Sequence, residues 1–176
     1  MVQGPYGLMY NTARVAAPQS WSVLWEPQFK GQYSIGNLPN FNVLTVAMSL
    51  GLKGDAVFDY DTLRTDPRVL DRLTRLIQNS SKVWDGVDNA QDLENLTMTV
   101  GYGFSMPALQ KMGQNWDYAS PAEGTIWWVD NWVISARLAN QPLLKRIAED
   151  FINFTLSPQY QLEVFMRGTG SFPVTM

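Results

Sequence analysis

The stretch EGTIWWVDNWVIS, residues 123–135, places a carboxylate among three tryptophans. Alternation along an extended strand puts Trp128, Asp130 and Trp132 on one face and Trp127 on the other. Such a face could hold an amine through cation–π contact and a charge-assisted hydrogen bond. It could equally stack on a sugar whose hydroxyls donate to the carboxylate. On the residues alone, the alternative is that the tryptophans are core and Asp130 marks the solvent edge of the strand.

Tyr102 is a second candidate for ligand contact. It stands between two glycines in TVGYGF, at the end of a predicted strand. Flanking glycines let a ligand or a backbone approach closely, which is typical of the wall of a pocket. The alternative is an ordinary turn that contains a tyrosine.

Signatures of catalysis are scarce in this chain. It contains no cysteine and no histidine, which excludes thiolate nucleophiles, His-dependent triads and His-ligated metals. No GxSxG, Walker A or GxGxxG motif occurs. The pairs Asp85–Asp88 and Asp130–Glu123 are possible hydrolytic carboxylates, but carboxylates in turns more often solvate loops or cap helices. We therefore predict that the chain is not an enzyme and needs no cofactor or metal.

The composition predicts a folded domain without a nucleic-acid partner. The 176 residues are 45% hydrophobic and 12% aromatic, and the formal net charge is −3. That balance predicts neither a basic face for nucleic acid nor a polybasic patch for anionic membranes. No stretch approaches the ~20 apolar residues of a membrane span. The first residues lack the pattern of an export signal.

The elements that must position the candidate residues alternate between short strands and helices. Asp66 followed by Pro67 predicts a helix start, and the helix carries an apolar stripe formed by Val69, Leu70, Leu73, Leu76 and Ile77. Strands are predicted in the segments YGLMYNT, QYSIG, KVWD, LTMTVGYG, WDYASP and TIWWVDNWVIS. This alternation indicates an α/β domain with a mixed or parallel sheet.

The last third of the chain predicts two helices that are broken at Ser157–Pro158. The first of them has a long apolar face formed by Leu143, Leu144, Ile147, Ala148, Phe151 and Ile152. Nothing later in the chain offers a cover for this face, so we expect an exposed apolar patch and self-association.

Several motifs recur in a familiar order over nearly the whole chain: YGLMYNT, SWSVLWEPQFKGQYSI, PAEGTIWWVDNWVIS, AEDFINFTLSPQYQ and the terminal GTGSFPVT. Together they resemble the periplasmic solute-binding proteins of ABC importers, and most closely the spermidine/putrescine-binding family. The resemblance implies a type 2 periplasmic-binding fold, in which two α/β lobes close on a solute. Family members are about twice as long, which implies that the N-terminal half is missing here.

The resemblance also implies a division of the chain. Residues 1–134 would form the second, ligand-binding lobe with its crossover strands. Residues 135–176 would form the C-terminal helical segment of the first lobe. The fold is thus expected to be one lobe with a mixed sheet flanked by helices, plus helices that normally belong to the other lobe. The implied location is the periplasm, or the outer surface of a Gram-positive cell through a lipid anchor.

Five residues are carried over from the family as ligand contacts. Trp128 and Asp130 match its crossover tryptophan and aspartate, where the acid holds a ligand ammonium. Tyr102 falls on an aromatic position that is usually tryptophan. The acidic pair of the family falls on GNLPNFN, which contains no acid and offers Asn37 and Asn40 instead. With one matched carboxylate, the expected solute is smaller or less charged than a polyamine, or polar and neutral.

The resemblance implies that the chain captures a small polar, amine-bearing, polyamine-like solute and delivers it to an ABC permease. A carbohydrate-binding module is the alternative, with stacking platforms at Trp21, Trp25, Trp128 and Trp132. Ferric-ion binding through tyrosine phenolates is a third possibility, with Tyr6, Tyr10 and Tyr102 as the candidates. Asp130 discriminates between the first two, because an amine needs its charge whereas a sugar needs mainly rings and hydrogen bonds.

Overall fold

A computed structural model describes residues 2–169 and 174. The chain divides into two compact units. Residues 5–126 form the first unit. Residues 2–4 and the described residues from 127 onward form the second.

The described residues form a mixed sheet of six strands. The strands are β1 (Val2–Asn11), β2 (Tyr33–Gly36), β3 (Lys82–Trp84), β4 (Met98–Gly101), β5 (Trp116–Tyr118) and β6 (Ile126–Asp130). Their order is β3-β2-β4-β1-β5, and β6 also pairs with β1. Strand β2 is parallel to β3 and β4, whereas β1 is antiparallel to β4 and β5. The predicted α/β fold with a mixed sheet is therefore confirmed.

Helices follow the strands as the sequence pattern indicates. They are α1 (Pro39–Ser49), α2 (Tyr60–Leu63), α3 (Pro67–Asn79), α4 (Ala90–Leu93), α5 (Met106–Lys111), α6 (Pro142–Thr155) and α7 (Pro158–Tyr160). Short 3₁₀ helices lie at Trp21–Trp25, Pro27–Phe29, Gly54–Val57 and Ala136–Leu138, and a π-helix lies at Gln161–Thr169. The predicted cap of α3 is present, because the Asp66 side chain accepts the backbone N–H of Arg68 at 2.8 Å.

Both faces of the sheet in the first unit are covered, so β2 and β4 are buried along their whole length. Helices α1 and α3 pack on each other and on the 3₁₀ turn at Trp21–Trp25. A second cluster joins the sheet to α4 and α5, and consists of Met9, Ala90, Leu93, Leu96, Leu109 and Trp116. Each of these strands buries one polar residue, Ser34 in β2 and Thr99 in β4, and their hydroxyls hydrogen-bond to each other at 2.8 Å, which satisfies both groups in the core.

The apolar stripe predicted for α3 is wider than the face that the helix buries. Val69 and Leu76 are buried, but Leu70 and Ile77 are 49% and 46% exposed. Consecutive residues on a helix point about 100° apart. Only the row through Val69 and Leu76 therefore faces the core, and the neighbouring row lies at the surface.

In the second unit, β6 ends at Asp130. The prediction that Trp132 shares a strand face with Trp128 and Asp130 is therefore wrong. Trp132 lies beyond the strand and is 48% exposed, and its ring meets that of Phe151 edge-on at 5.5 Å. A strand lasts only as long as its backbone has a pairing partner, and side-chain alternation alone does not reveal where pairing stops.

Helix α6 exposes the apolar face that the sequence predicts. Leu143 is 72% exposed, Ile147 54% and Phe151 50%. The chain breaks after α6 at Ser157, whose side chain caps α7 by accepting the N–H of Tyr160. Self-association through this face stays a prediction. The terminal loop GTGSFPVT lies mostly outside the described residues.

Two tyrosines of the first unit predict how stability depends on alkaline pH. Tyr6 and Tyr33 are fully buried, and burial raises the pKa of each well above the ordinary value of 10.0. Below about pH 9, folded and unfolded chains both hold these protons. As the pH rises through 10, the unfolded chain releases them first, so we expect the free energy of unfolding to fall by about 1.4 kcal/mol per pH unit for each tyrosine that stays protonated in the folded chain.

Tyrosinate absorbance and urea unfolding check this expectation together. The chain in denaturant should titrate all seven tyrosines near pH 10. The native chain should lack at least two of these ionisations until it unfolds. Full titration of the native chain near pH 10, with its circular dichroism intact, would contradict the prediction.

Candidate functional site

The carboxyl ends of β2, β3 and β4 meet at one edge of the sheet, because these neighbouring strands are parallel. In α/β sheets this edge is where ligands bind. Asn37 directly follows β2 and Asp85 directly follows β3. The backbone N–H of Asn37 donates to the carbonyl of Trp84 at 2.7 Å, and its side-chain amide donates to a carboxylate oxygen of Asp85 at 2.9 Å. The edge therefore carries an exposed acid that is held by an amide.

Five rings gather at the same edge and form what we call the aromatic cluster: Tyr6, Phe41, Trp84, Tyr102 and Phe104. Tyr6 stacks on Phe41 with ring centroids 4.4 Å apart, and Tyr102 stacks on Phe104 at 5.5 Å. Tyr102 is the centre, because it also meets Tyr6 at 5.0 Å and Trp84 at 6.4 Å edge-on. Such edge-to-face and offset pairs are the arrangements that aromatic rings favour.

The loop that presents Tyr102 is fixed by a buried carboxylate. Asp88 is 3% exposed and accepts the backbone N–H of Tyr102 at 2.9 Å and that of Ser105 at 3.0 Å. The hydroxyl of Ser105 donates to the same carboxylate. On the other side, the phenol of Tyr118 donates to the Tyr102 carbonyl at 2.6 Å. The predicted site residue Tyr102 therefore sits on a braced backbone.

The two asparagines carried over from the family lie close in sequence but differ in their surroundings. Asn37 contacts Asp85, as described above. Asn40 is exposed in the first turn of α1, directly before Phe41 of the aromatic cluster. A third amide, Asn42, is buried and donates to the carbonyl of Gly36 at 2.9 Å, so it holds α1 against the end of β2.

Trp128 and Asp130 belong to the second unit, whereas Tyr102, Asn37 and Asn40 belong to the first. The Trp128 ring covers Gly4 so closely that an added Cβ there would stand 3.1 Å from it. Asp130 is exposed. With Val2, Asn131, Trp132 and Phe165 it lines a depression of about 400 Å³.

Sequence reasoning missed Asp85 as a partner of the site, and it missed Phe41, Trp84 and Phe104. For Asp85 a signal was available. It comes directly after the short strand KVW, just as Asn37 comes directly after QYSIG. Parallel strands bring such positions to one edge, but only when they are neighbours in the sheet.

A mixed α/β sheet with an aromatic and acidic carboxyl edge is typical of proteins that bind small solutes. The family model of the bacterial extracellular solute-binding proteins matches residues 2–176. The chain belongs to this family.

Solved structures show the same fold. A spermidine/putrescine ABC-transporter substrate-binding protein from Streptococcus pneumoniae is 25% identical with a TM-score of 0.71, and the match covers 96% of this chain and 50% of that one. The Atu4243–GABA receptor is 20% identical with a TM-score of 0.74, over 99% and 52% of the two chains. A periplasmic binding protein from Actinobacillus pleuropneumoniae with bound fructose-6-phosphate is 20% identical with a TM-score of 0.61, over 96% and 51%.

The chain thus spans about half the length of the solved structures that it matches. No curated protein sequence matches it. Within residues 2–169 and 174, no helix has the length and apolar character needed to cross a membrane.

Proposed function

We propose that the chain is part of the solute-binding component of an ABC importer, and that the solute carries an amine. Membership of the solute-binding family supports the first statement. The likeness to a spermidine/putrescine-binding protein at 25% identity supports the second. On this proposal the component works outside the cytoplasmic membrane and delivers its solute to a membrane permease.

The observation that carries the proposal is the aromatic cluster with Asp85 at its edge. An ammonium group can bind the faces of exposed rings by cation–π attraction and form a charge-assisted hydrogen bond with a carboxylate. Tyr102 and Phe104 are both partly exposed at this edge, so rings and acid are accessible together. The amide of Asn37 fixes one oxygen of Asp85 and leaves the other for a ligand.

Asp85 raises the number of exposed carboxylates that could bind an amine. From the sequence, only Asp130 matched an acidic position of the family, which pointed to a solute that is smaller or less charged than a polyamine, or polar and neutral. Asp85 provides a second exposed carboxylate, in the first unit, while Asp130 lies in the second. The amine site that we propose for the first unit therefore rests on Asp85, and an amine-bearing solute is the class we favour.

The carbohydrate alternative loses two of its four stacking platforms. Trp21 is fully buried, and its indole N–H donates to the Gly124 carbonyl at 2.8 Å. Trp25 has its ring covered by the Arg72 guanidinium. The ferric alternative needs phenolates, but burial raises the pKa of Tyr6 and keeps its phenol protonated.

The decisive experiment removes the charge of Asp85 and keeps its shape. In Asp85→Asn the remaining carbonyl oxygen can still accept the Asn37 amide, so the fold should be unaffected. We expect spermidine and putrescine affinity, measured by calorimetry on the 176-residue chain, to fall about tenfold or more, because a charge-assisted hydrogen bond contributes about 1.5–3 kcal/mol.

Asp61→Asn is the matched control. Asp61 is an acid on α2 that is 89% exposed and pairs with Arg64, so this variant loses the same charge away from the site. It should bind amines like the parent chain. Equal affinity in Asp85→Asn and the parent would refute the amine role of Asp85. Binding of neutral sugars but not of amines would favour the carbohydrate alternative.

A further inference from the structure

A second candidate binding site lies on the first unit, in a groove between α3, the end of α1 and the turns around Trp25. We call it the basic groove. It has a volume of about 610 Å³ and is lined by Trp25, Pro27, Lys30, Leu50, Arg68, Asp71, Arg72, Arg75 and Asn79. The size falls within the range of small-molecule sites, about 300–1,000 Å³.

The charge of the basic groove is opposite to that of the chain. Four cationic side chains and one carboxylate line it, although the formal net charge of the chain is −3. Three of the cations, Arg68, Arg72 and Arg75, recur at the i, i+4 and i+7 positions of α3 and so lie along one face of the helix. The C-terminus of α1 adds only about half a negative charge.

Two of these cations are paired inside the protein and two are not. Arg68 pairs with Asp66 at 2.6 Å, and Arg75 pairs with Asp71 at 3.1 Å. Lys30 and Arg72 form no ion pair with any residue in the described part of the chain. An anion that enters the groove would therefore meet two charges that form no ion pair with a described carboxylate.

Arg72 is held in a single orientation. Its guanidinium lies 4.0 Å from the ring centroid of Trp25, and the indole N–H of Trp25 donates to the Arg72 carbonyl at 3.0 Å. Its Nε–H donates to the Ser49 hydroxyl at 2.7 Å. The two terminal nitrogens form no hydrogen bond to another described residue. They present the planar fork with which arginine binds carboxylate or phosphate groups.

The electrostatic environment of Arg72 agrees with this geometry. Burial lowers its pKa, and the positive charge of Arg75 lowers it further, while Glu123 acts in the opposite direction. Arg72 is therefore a partly desolvated cation beside another cation, and an incoming anion would stabilise its charge.

We propose that the basic groove binds a small multivalent oxyanion, a polycarboxylate or a phosphate compound, through Arg72 and Lys30. This site is separate from the aromatic cluster. Phe41 of the cluster stands near the start of α1 and Leu50 of the groove follows its end, about 14 Å apart along the helix axis. Binding there is a second activity of this chain, distinct from capture of the amine-bearing solute.

Calorimetric titration with sodium citrate and with sodium pyrophosphate tests the proposal. We expect at least one of them to bind, and the affinity to fall about tenfold in Arg72→Gln and in Lys30→Gln, roughly one charge-assisted contact each. The probe that binds identifies carboxylate or phosphate as the chemistry. Raising salt to about 150 mM should weaken binding without abolishing it, since groups in contact lie well within the Debye length of about 8 Å.

Lys111→Gln is the matched control, because Lys111 is an exposed lysine of α5 outside the groove. It should bind both probes like the parent. Lys30→Gln keeps the test valid if Arg72→Gln perturbs the packing of α1 and α3, because Lys30 is exposed. Failure of both probes to bind, or equal losses in Lys30→Gln and Lys111→Gln, would overturn the proposal. Spermidine affinity should be unchanged in Lys30→Gln, which separates this test from that of the amine site.

Discussion

Replacing Asp88 with alanine is expected to lower the free energy of unfolding by about 3 kcal/mol. The carboxylate is 3% exposed and accepts three hydrogen bonds, from the backbone of Tyr102 and from the backbone and hydroxyl of Ser105. Alanine would leave two backbone N–H groups without acceptors, and each unsatisfied buried group costs about 1–3 kcal/mol. Urea unfolding followed by circular dichroism measures the loss.

Asp85→Ala is the control for Asp88→Ala. Asp85 lies three residues away, is exposed, and accepts a single described hydrogen bond, from Asn37. Surface substitutions of this kind usually change stability by less than about 0.5 kcal/mol. If the two variants unfolded at the same urea concentration, the bracing role of Asp88 would be refuted. If only Asp88→Ala is destabilised, the carboxylate stabilises the loop that carries Tyr102.

Much of the fold could be predicted from the sequence because its determinants are local. Asp66 and Pro67 predict the start of α3, and Ser157 and Pro158 predict the break after α6. The prediction failed where a strand end or the exposure of a side chain depended on residues that are distant in the sequence. The end of β6 at Asp130 depends on pairing with β1, and the exposure of Leu70 and Ile77 depends on how α3 is turned toward the core.

The candidate site shows the same difference between residues that linear motifs select and residues that only the fold brings together. Tyr102 stands out because it lies between two glycines at the end of a predicted strand, whereas Asn37 is selected only by the resemblance to the family. Asp85 joins Asn37 only because β2 and β3 are neighbours, which is a property of the sheet order. The spacing of Arg68, Arg72 and Arg75 predicts one basic face of α3. The net charge of −3 gives no indication of this face. Lys30 and Trp25 come from a distant segment that only the fold brings to α3.

Replacing Gly103 with alanine should cost about 3–5 kcal/mol, because two effects add at this position. Gly103 has φ +79°, a left-handed conformation that costs other residues about 1–2 kcal/mol. An added Cβ would also overlap the Tyr118 hydroxyl oxygen and would stand 2.8 Å from the ring carbon that bears it. The ring cannot simply move away, because it packs against the cluster around Met9 and its hydroxyl donates to the Tyr102 carbonyl.

Gly113→Ala separates the two effects. Gly113 has a similar φ of +76°, but no heavy atom of the described chain lies within 4 Å of an added Cβ there. This variant should lose only the conformational cost of about 1–2 kcal/mol. The excess loss in Gly103→Ala, measured by urea unfolding, then reports the clash with Tyr118. Adding Tyr118→Phe removes the overlapping hydroxyl oxygen and should recover part of that excess, as a double-mutant cycle would show. An equal loss of unfolding free energy in the two glycine variants would mean that Tyr118 does not occupy the space beside Gly103. That result would contradict the position of Tyr118 from which its phenol braces Tyr102.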